Sequence, residues 1–168
     1  MKPIVSIIMG STSDLPVMEK ASAFFEEMKI PFEMLALSAH RTPREVEQFA
    51  STAKERGVKV IIAGAGMAAH LGGVIASLTT LPVIGVPISS TLDGRDALLS
   101  IVQMPPGIPV ATMAIDGAMN AAVMACRILA LDDKELAARM TEYSNGLSAK
   151  IEKANADLRE IKFKFKTN

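Results

Sequence analysis

The chain alternates between short apolar runs and longer amphipathic stretches, and the alternation repeats five times. Residues 4–9 (Ile-Val-Ser-Ile-Ile-Met) are β-branched and almost wholly apolar, the pattern of a strand covered on both faces. Gly10-Ser11-Thr12-Ser13-Asp14 breaks the run. A helix is predicted from there to about residue 29, with Ser13 or Asp14 as its cap and Pro16 in its first turn. Residues 32–37 read as a second strand and 38–41 as a loop. Thr42-Pro43-Arg44-Glu45 has the form of a capping box with Pro at the first helical position, and Gly57 marks the end of the helix it starts. A third strand over 58–63 leads into Gly64-Ala65-Gly66-Met67-Ala68-Ala69-His70 and a helix of small residues to about 78. A fourth strand over 82–86, a polar loop over 88–96, a short helix over 97–102, a turn over 104–107 and a fifth strand over 108–115 complete the pattern.

Strands alternating with helices predict a parallel sheet with helices on both faces. The fold class is therefore α/β: a three-layer αβα domain with a flavodoxin-like strand order, 2-1-3-4-5. No linker, repeat or low-complexity tract divides residues 1–168, so one domain is expected, with a parallel core over 1–131 and a helical tail over 132–168. Residues 118–131 are apolar nearly all round and must be buried on most sides. The tail carries Leu136, Met140, Tyr143, Leu147, Ile151, Ala154, Leu158 and Ile161 at steps of three and four. As one helix it would be about 40 Å long, unless Asn145-Gly146 breaks it. Together these faces predict a homo-oligomer. An ordinary tail helix packed on its own sheet is the alternative.

Composition narrows the class. Eighteen Lys and Arg balance eighteen Asp and Glu, which argues against a dedicated nucleic-acid binder or a polybasic membrane anchor. Aromatic residues are 4% of the chain, with no Trp, too few for a stacking platform for single strands. No apolar run is long enough to span a membrane, and residues 1–10 do not read as a signal segment. One cysteine, Cys126, allows neither an internal disulfide nor a cysteine-based zinc site, and with two histidines no metal is expected. The expected setting is cytoplasmic.

In an open parallel sheet ligands bind at the carboxyl ends of the strands. The loops 10–14, 38–41 and 64–70 follow the first three strands and should converge on one crevice. The first offers Ser11, Thr12 and Ser13 beside a helix N-terminus suited to an anion, although Ser13 and Asp14 could equally be simple caps. The second holds His40 and Arg41. A guanidinium gives charge-assisted bonds to phosphate, and an imidazole can move a proton near neutral pH. The third matches the dinucleotide pattern G-x-G-x-x-G/A, but in the third unit and without the acid expected about 20 residues on. Its small residues instead allow backbone to approach a flat ligand. His70, the other histidine, fits a structural place at a helix start as well as a chemical one. The residues alone thus point to a small phosphorylated, planar ligand, with His40 as acid/base.

Gly10-Ser11-Thr12-Ser13-Asp14, Ser38-Ala39-His40-Arg41-Thr42-Pro43, Ala63-Gly64-Ala65-Gly66-Met67-Ala68-Ala69-His70-Leu71 and Leu99-Ser100-Ile101-Val102-Gln103-Met104-Pro105 together resemble the N5-carboxyaminoimidazole ribonucleotide mutases of purine biosynthesis. The likeness spans residues 4 to about 131 in one register. It implies a flavodoxin-like octamer without cofactor or metal that moves a carboxylate from the exocyclic nitrogen of an aminoimidazole ribonucleotide to its ring carbon 4. By matching motif, it implies His40 as general acid/base at that carbon and Ser11, Ser13, Asp14 and Arg41 as ligands of the ribonucleotide. Arg41 and the serines would take the phosphate and Asp14 the ribose. Ser38, Ala39, Gly66 and His70 would add contacts around the ring. The first motif here continues into Leu15, where the family often has Trp, a packing difference. Arg41 and Pro43 stand where the related branch that uses free carbon dioxide tends to carry Lys and Ala, so the resemblance favours the mutase over that carboxylase. A non-catalytic or dinucleotide-binding domain is the remaining alternative.

Overall fold

In the computed structural model, which describes residues 1–168, the apolar runs lie side by side as five parallel strands. They are β1 (Val5–Met9), β2 (Phe32–Ala36), β3 (Val60–Gly66), β4 (Val83–Ile88) and β5 (Ala111–Thr112), in the order β2-β1-β3-β4-β5. Between and after them run α1 (Leu15–Glu27), α2 (Pro43–Thr52), α3 (Leu71–Leu78), α4 (Arg95–Val102), α5 (Ala118–Leu129) and α6 (Lys134–Glu160). Both the expected αβα architecture and its strand order are present.

Period-two alternation sends neighbouring strand residues to opposite faces, and each face builds its own core. Val5, Ile7, Val60, Ile62, Ile84 and Val86 meet α1, α5 and the start of α6 through Met18, Phe25, Ala122 and Leu136. Ile8, Ile61, Ala63 and Val83 meet α2, α3 and α4 through Val46, Phe49, Ile75 and Ile101. The three central strands are buried along their length, save Gly66 at the end of β3. Ser6 is the polar exception in β1. It is fully buried and donates to Oε1 of Glu33 at 2.7 Å, and Glu33 is gripped by Nη1 of Arg56 at 2.7 and 2.9 Å.

Several boundaries differ from the periodicity reading, each for a local reason. β3 continues through Gly64-Ala65-Gly66, because Gly64 and Gly66 still pair with Val86 and Ile88 of β4. The fifth strand is two residues long rather than eight, pairing with β4 only at Ile84 and Gly85. Thr42 precedes α2 but caps nothing: its hydroxyl accepts from the Ser38 amide at 2.9 Å and donates to the Ser38 carbonyl at 3.2 Å. The capping box instead lies earlier, where Ser11 and Asp14 bond each other's backbone amides across the 3-10 turn Thr12–Asp14. α5 is buried along one broad face but leaves Met119 and Met124 exposed, so it is less enclosed than its composition suggested. Asn145-Gly146 does not break α6, which runs 27 residues and is exposed along nearly all of its second half.

Candidate active site

The carboxyl ends of β1, β2, β3 and β4 share one edge of the sheet, with Met9 level with Ala36 on one side and Gly64 on the other. The ladder is extended there by Gly10 N–H to the Gly64 carbonyl at 3.1 Å and Leu37 N–H to the Met9 carbonyl at 2.9 Å. Four loops leave this edge around a cleft of about 540 Å³. Its wall includes Ser11, Ser13 and Asp14 from the first loop, and Ser38, Ala39, His40 and Arg41 from the second. Gly66 and His70 come from the third. Every residue expected at the site is therefore in one cavity. A larger cleft of about 850 Å³ opens by Thr79–Pro82 and Gly107–Pro109 at the opposite end of the strands, and of ionisable groups it has only Lys54.

The side chains in the cleft hold one another in place. Asp14 is 8% exposed, and its Oδ2 accepts from the Ser11 amide at 3.1 Å. The Ser13 hydroxyl reaches its Oδ1 at 3.4 Å. Burial pushes the Asp14 carboxyl above its ordinary value, while the amides of Ser11 and Gly10, the Ser13 hydroxyl and the Arg41 charge pull the other way. Arg41 reaches across from the second loop. Its Nη2 donates to the Gly10 carbonyl at 2.9 Å and its Nε to the Ser38 hydroxyl at 3.4 Å, which leaves other N–H groups of an exposed guanidinium for a ligand. Nε2 of His40 lies 2.9 Å from Nδ1 of His70, with the rings edge to face at 5.0 Å between centroids. One ring must donate and the other accept, so two fully protonated rings are incompatible with the contact.

The Gly-x-Gly motif takes a different part from a dinucleotide turn. Gly64 and Gly66 are strand residues, and a Cβ on Gly64 would overlap the Met18 side chain. Gly64 serves close packing, and only residues 67–70 form the loop. The periodicity reading missed Ser89 and Ser90, which line the cleft because β4 runs two residues past its expected end. Met67 lies on the same wall, within the 64–70 loop expected at the crevice, although it was not singled out there. The signal for the serines was present: a polar pair directly after a buried strand at the binding edge. Cys126 is buried away from the cleft, and desolvation pushes its thiol up to about 12.

The site is a pocket that pairs a cation, a carboxyl group and hydroxyls with two imidazoles, fit to hold a phosphorylated sugar and move a proton. Known proteins share much of this sequence and fold. The family model described as AIR carboxylase matches residues 4–150. A Pyrococcus horikoshii protein named N5-carboxyaminoimidazole ribonucleotide mutase is 56% identical over 161 residues, covering 95% of this chain and 91% of that one. A Thermotoga maritima protein of the same name is 51% identical, covering 96% and 95%. A Saccharomyces cerevisiae protein named phosphoribosylaminoimidazole carboxylase is 54% identical over 84% of this chain but only 25% of its own length. The crystal structure of Treponema denticola PurE superposes with a TM-score of 0.84 at 31% identity, over 94% of this chain and 99% of that one. Motif, fold and near-complete coverage by relatives of this kind lead to one conclusion: the chain belongs to the AIR carboxylase family.

Proposed function

We propose that the chain is an isomerase that converts N5-carboxyaminoimidazole ribonucleotide to 4-carboxy-5-aminoimidazole ribonucleotide. The observation that carries this reading is the convergence of His40, Arg41, Ser11 and Asp14 on one cleft, in a chain more than half identical to proteins named for that reaction. Arg41 and the loop serines take the phosphate, Asp14 the ribose hydroxyls, and the 67–70 loop with Gly66, Ala39 and Ser38 the ring.

The chemistry balances within the pocket. The carbamate N–C bond breaks, carbon dioxide leaves, and the electron pair returns to the exocyclic nitrogen and, by conjugation, to ring carbon 4. Carbon 4 then attacks the trapped carbon dioxide and forms a C–C bond. The proton that carbon 4 loses equals the one the nitrogen gains, so an imidazole that accepts and then returns a proton suffices, and His40 is that group. Neither a cofactor nor ATP is required by this balance. Retention of the carboxylate requires that the carbon dioxide stay in the cleft between the two steps.

The working form is a cytoplasmic homo-oligomer, an octamer by resemblance to the family. Supporting this, Leu147, Ile151, Leu158 and Ile161 of the α6 stripe and the residue after it are 45–65% exposed in the single chain. The decisive experiment supplies purified protein with the N-carboxylated substrate and labelled bicarbonate, without ATP. Conversion with carboxylate retained is expected. Rapid label incorporation with no conversion of the N-carboxylated compound would overturn the mutase in favour of a carboxylase that uses free carbon dioxide.

A further inference from the structure

One residue of the cleft wall has both a backbone and a side chain unlike its neighbours. Met67 has φ of +56°, in the left-handed region that a residue bearing a Cβ enters only under constraint. The constraint is visible: β3 runs as far as Gly66 and α3 begins at Leu71, so four residues must turn the chain. Tight bonds from the Ala69 amide to the Met67 carbonyl at 2.9 Å and from the His70 amide to the Ala68 carbonyl at 2.8 Å fasten the turn. The Met67 side chain is 59% exposed. The other apolar residues of the wall are the small Ala39, Ala65 and Ala68 or the buried Leu71 and Ile88. Met67 is thus the one long apolar side chain on this wall that is free to move over the cleft.

We propose that Met67 is a specificity-determining residue for the heterocycle, its thioether chain folding over the open face of the flat ring and shutting water from it. The proposal rests on the nucleotide reading above and names a further part of the same site. An unbranched, polarisable side chain suits that task, since it conforms to a planar surface and makes favourable sulfur–aromatic contacts. Strained backbone persists where the surroundings hold it, and binding sites are where such strain concentrates. The other groups in the cleft are polar, small or, like Leu71 and Ile88, buried in its wall. None of them supplies an apolar cover.

The test uses Met67→Gly, Met67→Ala and Met67→Leu in the full-length protein. It measures KM and kcat for the N-carboxylated substrate and dissociation constants for aminoimidazole ribonucleotide and ribose 5-phosphate. Glycine relaxes the backbone and removes the side chain, alanine keeps the strain and removes the side chain, and leucine keeps apolar bulk. Expected is a roughly tenfold rise in KM and in the nucleotide dissociation constant for both Gly and Ala, with Leu near wild type and ribose 5-phosphate binding unchanged in all three. Wild-type affinity in Met67→Gly, a loss in Gly that Ala does not share, or an equal loss for ribose 5-phosphate would each overturn the assignment. Wild-type protein that binds neither nucleotide would instead overturn the functional reading itself, before any variant is compared.

Discussion

His40 and Arg41 lie in a short loop, yet both are held from outside it: His40 by His70 from the third loop, Arg41 by the Gly10 carbonyl from the first. That cross-bracing makes their roles separable. His40→Asn keeps a polar side chain at the cleft and removes the base, so turnover is expected to fall at least ~100-fold with nucleotide binding nearly intact. Steady-state kinetics beside a binding titration checks both halves. Arg41→Ala is expected to weaken nucleotide binding by about 1.5–3 kcal/mol, the scale of a charged hydrogen bond, and to leave the dephosphorylated nucleoside unaffected. An equal loss for the nucleoside would take Arg41 off the phosphate. Asp14 gives a pH prediction. Its carboxyl is raised above the ordinary 3.8, so the folded state holds that proton to higher pH than the unfolded state. Stability from this group therefore falls as pH rises above 3.8 toward the raised folded-state value. Asp14→Asn should melt higher than wild type at neutral pH, and the gap should close on acidification toward that ordinary value. It should also bind the ribonucleotide more weakly, which calorimetry with and without ligand separates from the stability gain. These residues were legible in the sequence because a parallel sheet delivers every strand-to-helix loop to the same edge. Ser89 and Ser90 were not singled out, since their place depends on how far β4 runs.

At the scale of elements, hydrophobic periodicity located every strand and helix but not where pairing or capping stops. β1 and the start of α3 were readable because an apolar run meets a sharp polar or helical boundary there. β5 was not: residues 108–115 are as apolar as a buried strand, yet Ile108, Val110 and Ala111 are half-buried or exposed, and only two residues pair. The run marks apolar surface rather than ladder. Thr42 shows competition among partners, since a hydroxyl four residues from Ser38 satisfies that loop's backbone before it can serve the helix. The same principle bears on α6. Asn145-Gly146 signals a break by composition, but the helix passes through it. A Cβ there meets nothing within 4 Å. Gly146→Ala should therefore raise stability by up to about 1 kcal/mol, the helix-propensity difference, read as a higher thermal midpoint. A lower midpoint would mean that another copy packs against that spot.

The whole molecule is asymmetric in how it uses its apolar residues. The central strands of the sheet are covered on both faces, while α6 docks only through its first turns: Leu136 and Met140 are buried and Tyr143 meets Phe24 edge to face at 5.0 Å. From residue 144 to its end the helix is exposed, with Leu147, Ile151 and Leu158 on an exposed apolar stripe. A helix of 27 residues is about 40 Å long, so its second half projects past the sheet and cannot fold back without breaking. Apolar surface displayed in this way is stable in water when another copy covers it. Ile151→Glu combined with Leu158→Glu places two charges on the stripe without touching either core. If the stripe holds copies together, light scattering should find the wild type far above 17.9 kDa and the double variant in smaller species, with circular dichroism preserved because the αβα core is closed without the stripe. The pairing of these readouts decides the matter. A wild type that already scatters as a single chain removes the oligomer argument altogether, and a variant that loses both mass and ellipticity shows that the stripe supports folding rather than assembly.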